Sequence, residues 1–321
     1  MSPFVEEHAA EVLHAAERIR PHVRRTPTLT TDLDRELRLK PECFQVTGSF
    51  KPRGAFNAIL SLMKSGAGRP QGVIAVSSGN HAKAVALAAS AVGLPALILI
   101  PEDANPAKVA ATRALGAEVV QEGITFANRE QRMREVMQER GLTLVHPFDD
   151  WNVIHGQGTA ALELLDDAPD LEVIAAPVGG GGLLSGTAIS AKHHRTALRV
   201  VGVEPSQADD AFRSWRSHQI QSLAAAPTTL ADGVRTMSVG QRTFEVMFGQ
   251  GLVDEIVTVT EDQIGEALRV AWSRLHLALE PTGALPLAAY LSGKLGPGRK
   301  GLILSGGNAD FETVAKLLGH S

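Results

Sequence analysis

Short runs of β-branched and other apolar residues alternate with amphipathic stretches along most of the chain. Strand-like runs fall at residues 73–76, 96–100, 118–120, 143–145, 173–176, 200–203, 256–259 and 302–304. Between them, residues 81–92, 107–115, 126–140 and 262–279 carry apolar positions at helical spacing, as does the opening stretch 5–20, where Glu6, Glu7, Glu11 and Glu17 punctuate the pattern. Strands separated by helices predict βαβ units and mainly parallel sheets. Eight strands in 321 residues are more than one compact sheet needs, so the pattern predicts an α/β protein of two lobes. Residues 222–236, with Ala224, Ala225, Ala226 and Pro227, are the least regular and predict a long surface or active-site loop. The short remainder after Gly307 predicts no appended regulatory domain.

Composition narrows the function classes. An apolar fraction of 44% and a charged fraction of 21% describe an ordinary globular protein. A net charge of -4 with interspersed signs gives no footing for nucleic acid or an acidic membrane surface. The single cysteine, Cys43, excludes an intramolecular disulfide and reads as a packed apolar residue. No opening segment resembles a signal peptide, and the longest apolar runs are too short to span a bilayer, so a cytoplasmic protein is expected. Eleven scattered histidines make no metal motif; His193 and His194 read as solvated. Trp215 and Trp272 read as core or interface residues, and Arg129 as solvent-exposed.

Four segments carry chemistry. In Thr47-Gly48-Ser49-Phe50-Lys51-Pro52-Arg53-Gly54 a lysine stands between glycines that allow close backbone approach. The stretch borders apolar Cys43 and Phe44 and precedes a helix expected over residues 55–65. Partial desolvation there lowers the amine pKa and frees it to attack an aldehyde. Ser77-Ser78-Gly79-Asn80-His81 lies between a strand and a helix, where free N–H groups and hydroxyls favour an anion; a simple helix cap by Ser78 or Asn80 is the plainer alternative. Pro177-Val178-Gly179-Gly180-Gly181-Gly182 repeats the strand-then-helix arrangement with four glycines, a phosphate cradle without the spacing of a nucleotide loop. Lastly, Leu304-Ser305-Gly306-Gly307-Asn308 ends a buried strand, the place where ligands gather in parallel sheets.

Together these segments resemble the serine/threonine dehydratase and serine racemase family of fold-type-II pyridoxal 5′-phosphate (PLP) enzymes, related to the tryptophan synthase β subunit. The resemblance runs from Arg25-Thr26-Pro27 to Asn308 and includes Gly156-Gln157-Gly158-Thr159, Val203-Glu204-Pro205, Ala231-Asp232-Gly233-Val234 and Glu280-Pro281-Thr282-Gly283-Ala284. It implies two three-layer αβα lobes: a large PLP-binding domain of residues 1–71 and 147–321, and a small domain of residues 72–146 that closes over substrate. By the same resemblance, Lys51 carries the cofactor and moves the Cα proton, and Phe50 packs beside the ring. Asn80 bonds the phenolic oxygen, Gly179, Gly180, Gly181 and Gly182 hold the phosphate, and Ser305 meets the pyridine nitrogen. Ser77, Ser78, Gly79 and His81 take the substrate carboxylate, with Ser78 matching the second-face proton donor of racemases.

The implied reaction removes water and ammonia from L-threonine or L-serine to give a 2-oxo acid. Serine racemisation with dehydratase side activity and 3-hydroxyaspartate dehydration are the alternatives, and the expected assembly is a homodimer. A divalent cation, Mg²⁺ or else Mn²⁺ or Ca²⁺, is expected at Glu204, the Ala208 carbonyl and Asp210, since oxygen-only ligands suit hard ions. The plainer alternative is that Asp209 and Asp210 cap a helix over residues 211–219 with Glu204 exposed. Two departures stand out: a short connection around Arg38-Leu39-Lys40-Pro41, and Lys83 where many relatives carry glutamine.

Overall fold

In a computed structural model that describes residues 2–64, 66 and 68–309, the chain forms two sheets. The strands are β1 (Leu29–Thr30), β2 (Leu37–Pro41), β3 (Val73–Val76), β4 (Ala96–Leu99), β5 (Glu118–Val120), β6 (Thr143–Leu144), β7 (Val173–Pro177), β8 (Arg199–Pro205), β9 (Glu255–Val259) and β10 (Lys300–Leu304). The helices are α1 (Pro3–Ile19), α2 (Lys51–Lys64), α3 (Asn80–Ala91), α4 (Pro106–Ala114), α5 (Arg129–Arg140), α6 (Trp151–Asp167), α7 (Gly182–His194), α8 (Asp210–Ser217), α9 (Gln241–Phe244), α10 (Glu261–Ser273) and α11 (Pro281–Leu291). One sheet runs β1-β2-β10-β7-β8-β9 and is parallel except for β1; the other runs β5-β4-β3-β6 and is parallel throughout.

Alternation along the strands builds the layers. On β7, Val173 and Ala175 enter one buried cluster with α10 and α11, while Ile174 and Ala176 enter another with α1, α6 and α7. On β3, Val73 and Ala75 pack with α3 while Ile74 packs with Met133 of α5. Both faces of each sheet are therefore covered, which is why these strands read as continuous apolar runs. Local signals fix the helix starts: Ser2 caps α1, Asn105 caps α4 ahead of Pro106, and Thr260 and Gln263 form a reciprocal capping box on α10.

Several sequence expectations are corrected. The segment expected helical from residue 126 begins its helix at Arg129, and the one expected to reach residue 279 stops at Ser273. Helix α2 begins at Lys51 itself, ahead of residue 55, and its expected end at Ser65 lies outside the described residues. Trp272 is 53% exposed and does not enter the core, and Phe44 is also exposed, so only Cys43 of that pair packs inward. Strand β2 escaped the pattern because it hides a fully buried lysine, Lys40, whose ammonium lies 2.7 Å from the Glu163 carboxylate. Helices α6 and α11 are buried along most of their length, so neither shows a polar face.

Candidate active site

The carboxyl ends of β3, β7 and β10 deliver three of the four chemical segments to one cleft, and the fourth is tied to them. The Phe50 N–H donates to the Ser305 carbonyl at 3.0 Å, and Ser49 bridges to Gly306, so Lys51 is pinned beside the end of β10. Lys51 Nζ donates to the Pro147 carbonyl at 2.9 Å and lies 5.1 Å from the centre of the Phe50 ring. Burial lowers its pKa to about 8, against the opposing pull of the Glu280 carboxylate. A neutral amine is thus accessible near neutral pH. Ser305 Oγ is buried and has no hydrogen-bond partner among the described residues. Such a hydroxyl is satisfied by a ring nitrogen.

The glycine loop is shaped by crowding. A Cβ on Gly180 would lie 2.3 Å from the Phe148 ring, and one on Gly179 would lie 2.9 Å from Val234 Cα. Gly181 has φ +96°, and its Cβ would meet Met247 and Thr243 at 2.8 Å. The Gly180 carbonyl accepts a hydrogen bond from Thr243 Oγ1 at 2.7 Å. Among the described residues none of these four N–H groups has a protein acceptor. Free amides at the start of a 13-residue helix suit a phosphate dianion.

At the start of α3, the amide N–H of Gly79 donates to Ser77 Oγ at 3.2 Å, and a Cβ on Gly79 would meet nothing. The first-turn N–H groups of α3 have no helical acceptors. His81 is committed elsewhere: Nε2 donates to the Val145 carbonyl at 2.8 Å, Nδ1 is buried without a partner, and burial pushes its pKa down to about 3. The ring is neutral and its one proton is spent, so His81 can offer an anion only its main-chain N–H. Ser78 is half-buried, with its hydroxyl free of protein partners among the described residues. Asn80 Nδ2 donates to Glu280 Oε1 at 2.7 Å, and Asn308 Nδ2 donates to Asn80 Oδ1 at 2.8 Å.

Around β8 the two acidic residues are buried, which corrects the alternative of an exposed Glu204. Glu204 is 1% exposed and accepts the N–H groups of Ala211 and Phe212 at 3.3 and 2.6 Å. Both carboxylate oxygens of Asp210 are buried with no partner among the described residues. Burial and mutual repulsion raise the Glu204 pKa, and burial raises that of Asp210 to about 7. Asp209 does not cap α8 with its side chain and instead pairs with Arg213 at 2.8 Å. An orphaned buried carboxylate beside a second one fits a hard cation.

Other signatures turn out to be architectural. A Cβ on Gly156 would lie 2.4 Å from the Arg53 carbonyl, and one on Gly158 would lie 2.8 Å from the Gly186 carbonyl, so Gly156-Gln157-Gly158 lets α2, α6 and α7 pack closely. Sequence reasoning assigned no role to Glu280, Asn308, Phe148, Val234 or Thr243, all of which shape the cleft. Glu280 and Asn308 stood inside recognisable motifs, and that was their only signal.

A lysine with a depressed pKa, a run of glycine amides without protein acceptors and a buried serine hydroxyl with no partner, both among the described residues, fit PLP. Comparison with known proteins agrees. Over residues 19–306 the chain matches the family described as pyridoxal-phosphate dependent enzyme. It is 41% identical over 324 residues to the serine racemase of Arabidopsis thaliana, covering 96% of each chain. It is 41% identical over 315 residues to the L-threo-3-hydroxyaspartate ammonia-lyase of Saccharomyces cerevisiae, covering 96% of this chain and 95% of that one. The crystal structure of a threonine deaminase from T.th. superposes with a TM-score of 0.89 at 48% identity, covering 94% of this chain and 98% of that one. With the match spanning both sheets and reaching into all four segments of the cleft, the chain belongs to the pyridoxal-phosphate dependent enzymes.

Proposed function

We propose that the chain is a PLP-dependent ammonia-lyase that converts L-threonine or L-serine to a 2-oxo acid and ammonia. The observation that carries the reading is the position of Lys51: a buried amine of lowered pKa between an anion cradle at α7 and an open helix start at α3. Similarity to a threonine deaminase at 48% identity supports the same choice.

When bound, PLP supplies an electron sink that makes the substrate Cα–H acidic. Gly179, Gly180, Gly181 and Gly182 would hold its phosphate, Ser305 would donate to its ring nitrogen, Phe50 would pack beside the ring and Asn80 would meet the phenolic oxygen. Ser77, Ser78, Gly79 and the His81 N–H bind the substrate carboxylate and fix Cα near Lys51. Lys51 would take the Cα proton, and the β-hydroxyl would leave with a proton as water. One water is taken up again as ammonia is released, so the net products are the 2-oxo acid and ammonia. The small lobe, residues 72–146, closes over the bound substrate; the Lys108–Asp232 ion pair at 2.7 Å already spans from α4 to the loop before α9. Glu204, Asp210 and the Ala208 carbonyl would hold Mg²⁺, or Mn²⁺ or Ca²⁺, and stiffen the large lobe beside β8.

A second reading is serine racemisation, favoured by the unpartnered Ser78 hydroxyl and by similarity to serine racemases at 41% identity. Similarity to a 3-hydroxyaspartate ammonia-lyase keeps that substrate in the assay. Purified protein given each enantiomer of serine, threonine and 3-hydroxyaspartate, with 2-oxo acid and chirality both followed, separates these readings. No 2-oxo acid from any of them would overturn the lyase assignment.

A further inference from the structure

Beside the end of β10, one chain of hydrogen bonds joins both lobes. Asn308 Nδ2 donates to the Thr47 carbonyl at 2.6 Å and to Asn80 Oδ1 at 2.8 Å. Asn80 Nδ2 donates to Glu280 Oε1 at 2.7 Å, and the Asn308 main-chain N–H closes on Glu280 Oε2 at 3.2 Å. The polarity of this chain is decided at its ends. A main-chain carbonyl only accepts, so Asn308 must turn its NH₂ toward Thr47. The second hydrogen of that group then meets Asn80 Oδ1, and Asn80 Nδ2 is left facing a carboxylate that accepts. Glu280 uses one Nδ2 hydrogen, and the other has no protein acceptor among the described residues.

We propose that Glu280, acting with Asn308, is a positioning residue that locks the Asn80 amide so that it offers the cofactor's phenolic oxygen an N–H rather than a carbonyl. The proposal rests on the reading of Asn80 as the partner of that oxygen. Glu280 occupies the N-cap position of α11, yet its side chain makes no capping bond, so its oxygens serve the two asparagines. It is 4% exposed, and desolvating a carboxylate is costly unless its oxygens are well used. Room for it is kept by Gly306, where a Cβ would lie 2.5 Å from Glu280 Oε1. A glutamine there could accept from Asn80 Nδ2 or from the Asn308 N–H, but it would present its own N–H to the other.

The test is the visible absorption band of the PLP-loaded protein and its pH midpoint, with PLP affinity, in Glu280→Gln, Glu280→Ala, Asn308→Ala and Asn80→Ala. The band and midpoint should move in the same direction in all four, with PLP bound up to about tenfold more weakly, the value of one lost hydrogen bond. Thermal unfolding checks that each variant is folded; if the Glu280 variants are not, Asn308→Ala carries the same comparison. A shift in Asn80→Ala with wild-type spectra in the folded Glu280 and Asn308 variants overturns the lock and leaves the Asn80 reading standing. An unshifted Asn80→Ala overturns both.

Discussion

The guanidinium of Arg53 and the carboxylate of Glu42 meet in a fully buried fork, Nε to Oε2 and Nη2 to Oε1, both at 2.8 Å. Glu163 closes the other side of the guanidinium at 2.7 and 2.9 Å and also takes Lys40. Two residues after Lys51, this network anchors the first turn of α2 to β2's end and to α6. Arg53→Ala leaves Glu42 a buried carboxylate without its fork and is expected to cost about 3–5 kcal/mol, read from urea unfolding at pH 7; Glu42→Ala, which leaves the guanidinium paired with Glu163, should cost less. Arg53→Lys, which cannot form the fork, should lose a substantial part of what Arg53→Ala loses. A change below about 1 kcal/mol in all three would mean the network contributes little.

On the proposed reading Lys51 must be neutral to attack the cofactor aldehyde, and its pKa is lowered to about 8 by burial. The rate of covalent capture of PLP by the apoprotein should rise with pH and level off above about 8. Stopped-flow absorbance across pH 6 to 11 measures it; a midpoint near the ordinary lysine value of about 10.4 would remove the desolvation argument. Borohydride reduction should fix the label on the peptide containing Lys51.

If the chain racemises as well as eliminates, Ser78→Ala separates the two. It should abolish racemisation and turnover of D-substrates, since the proposed reading gives Lys51 the opposite face. Elimination from the L-enantiomer should persist in part. Unchanged D-serine formation in the variant would show that another group protonates the second face.

Chelation tests the acidic pair of β8 and α8. Activity should fall after EDTA treatment, return with Mg²⁺ or Ca²⁺, and fall without return in Asp210→Ala, while the visible PLP band stays. Full activity in the chelated enzyme and in both Glu204→Ala and Asp210→Ala would eliminate the site.

Length and periodicity by themselves determined much of this protein. Runs such as residues 173–176 and 302–304 are apolar at every position because parallel strands are buried on both faces, and that reads directly as α/β. The glycine run and the lysine segment were legible because their chemistry demands unusual residue types in a row. Only the tertiary structure decided the rest. Nothing in the sequence marks Lys40 as buried until Glu163, 123 positions away, is seen to pair with it. His81 reads as an anion ligand until Val145 is found to hold its proton. Asp210 reads either as a cation ligand or as a helix cap until both its oxygens prove to be buried and without a partner among the described residues. Glu280 carries no legible side-chain partner until Asn80, 200 positions away at the start of α3, is seen to donate to it. The physical reason is common to all four: burial and partner geometry set what a polar side chain can donate or accept, and both are supplied by residues distant in sequence.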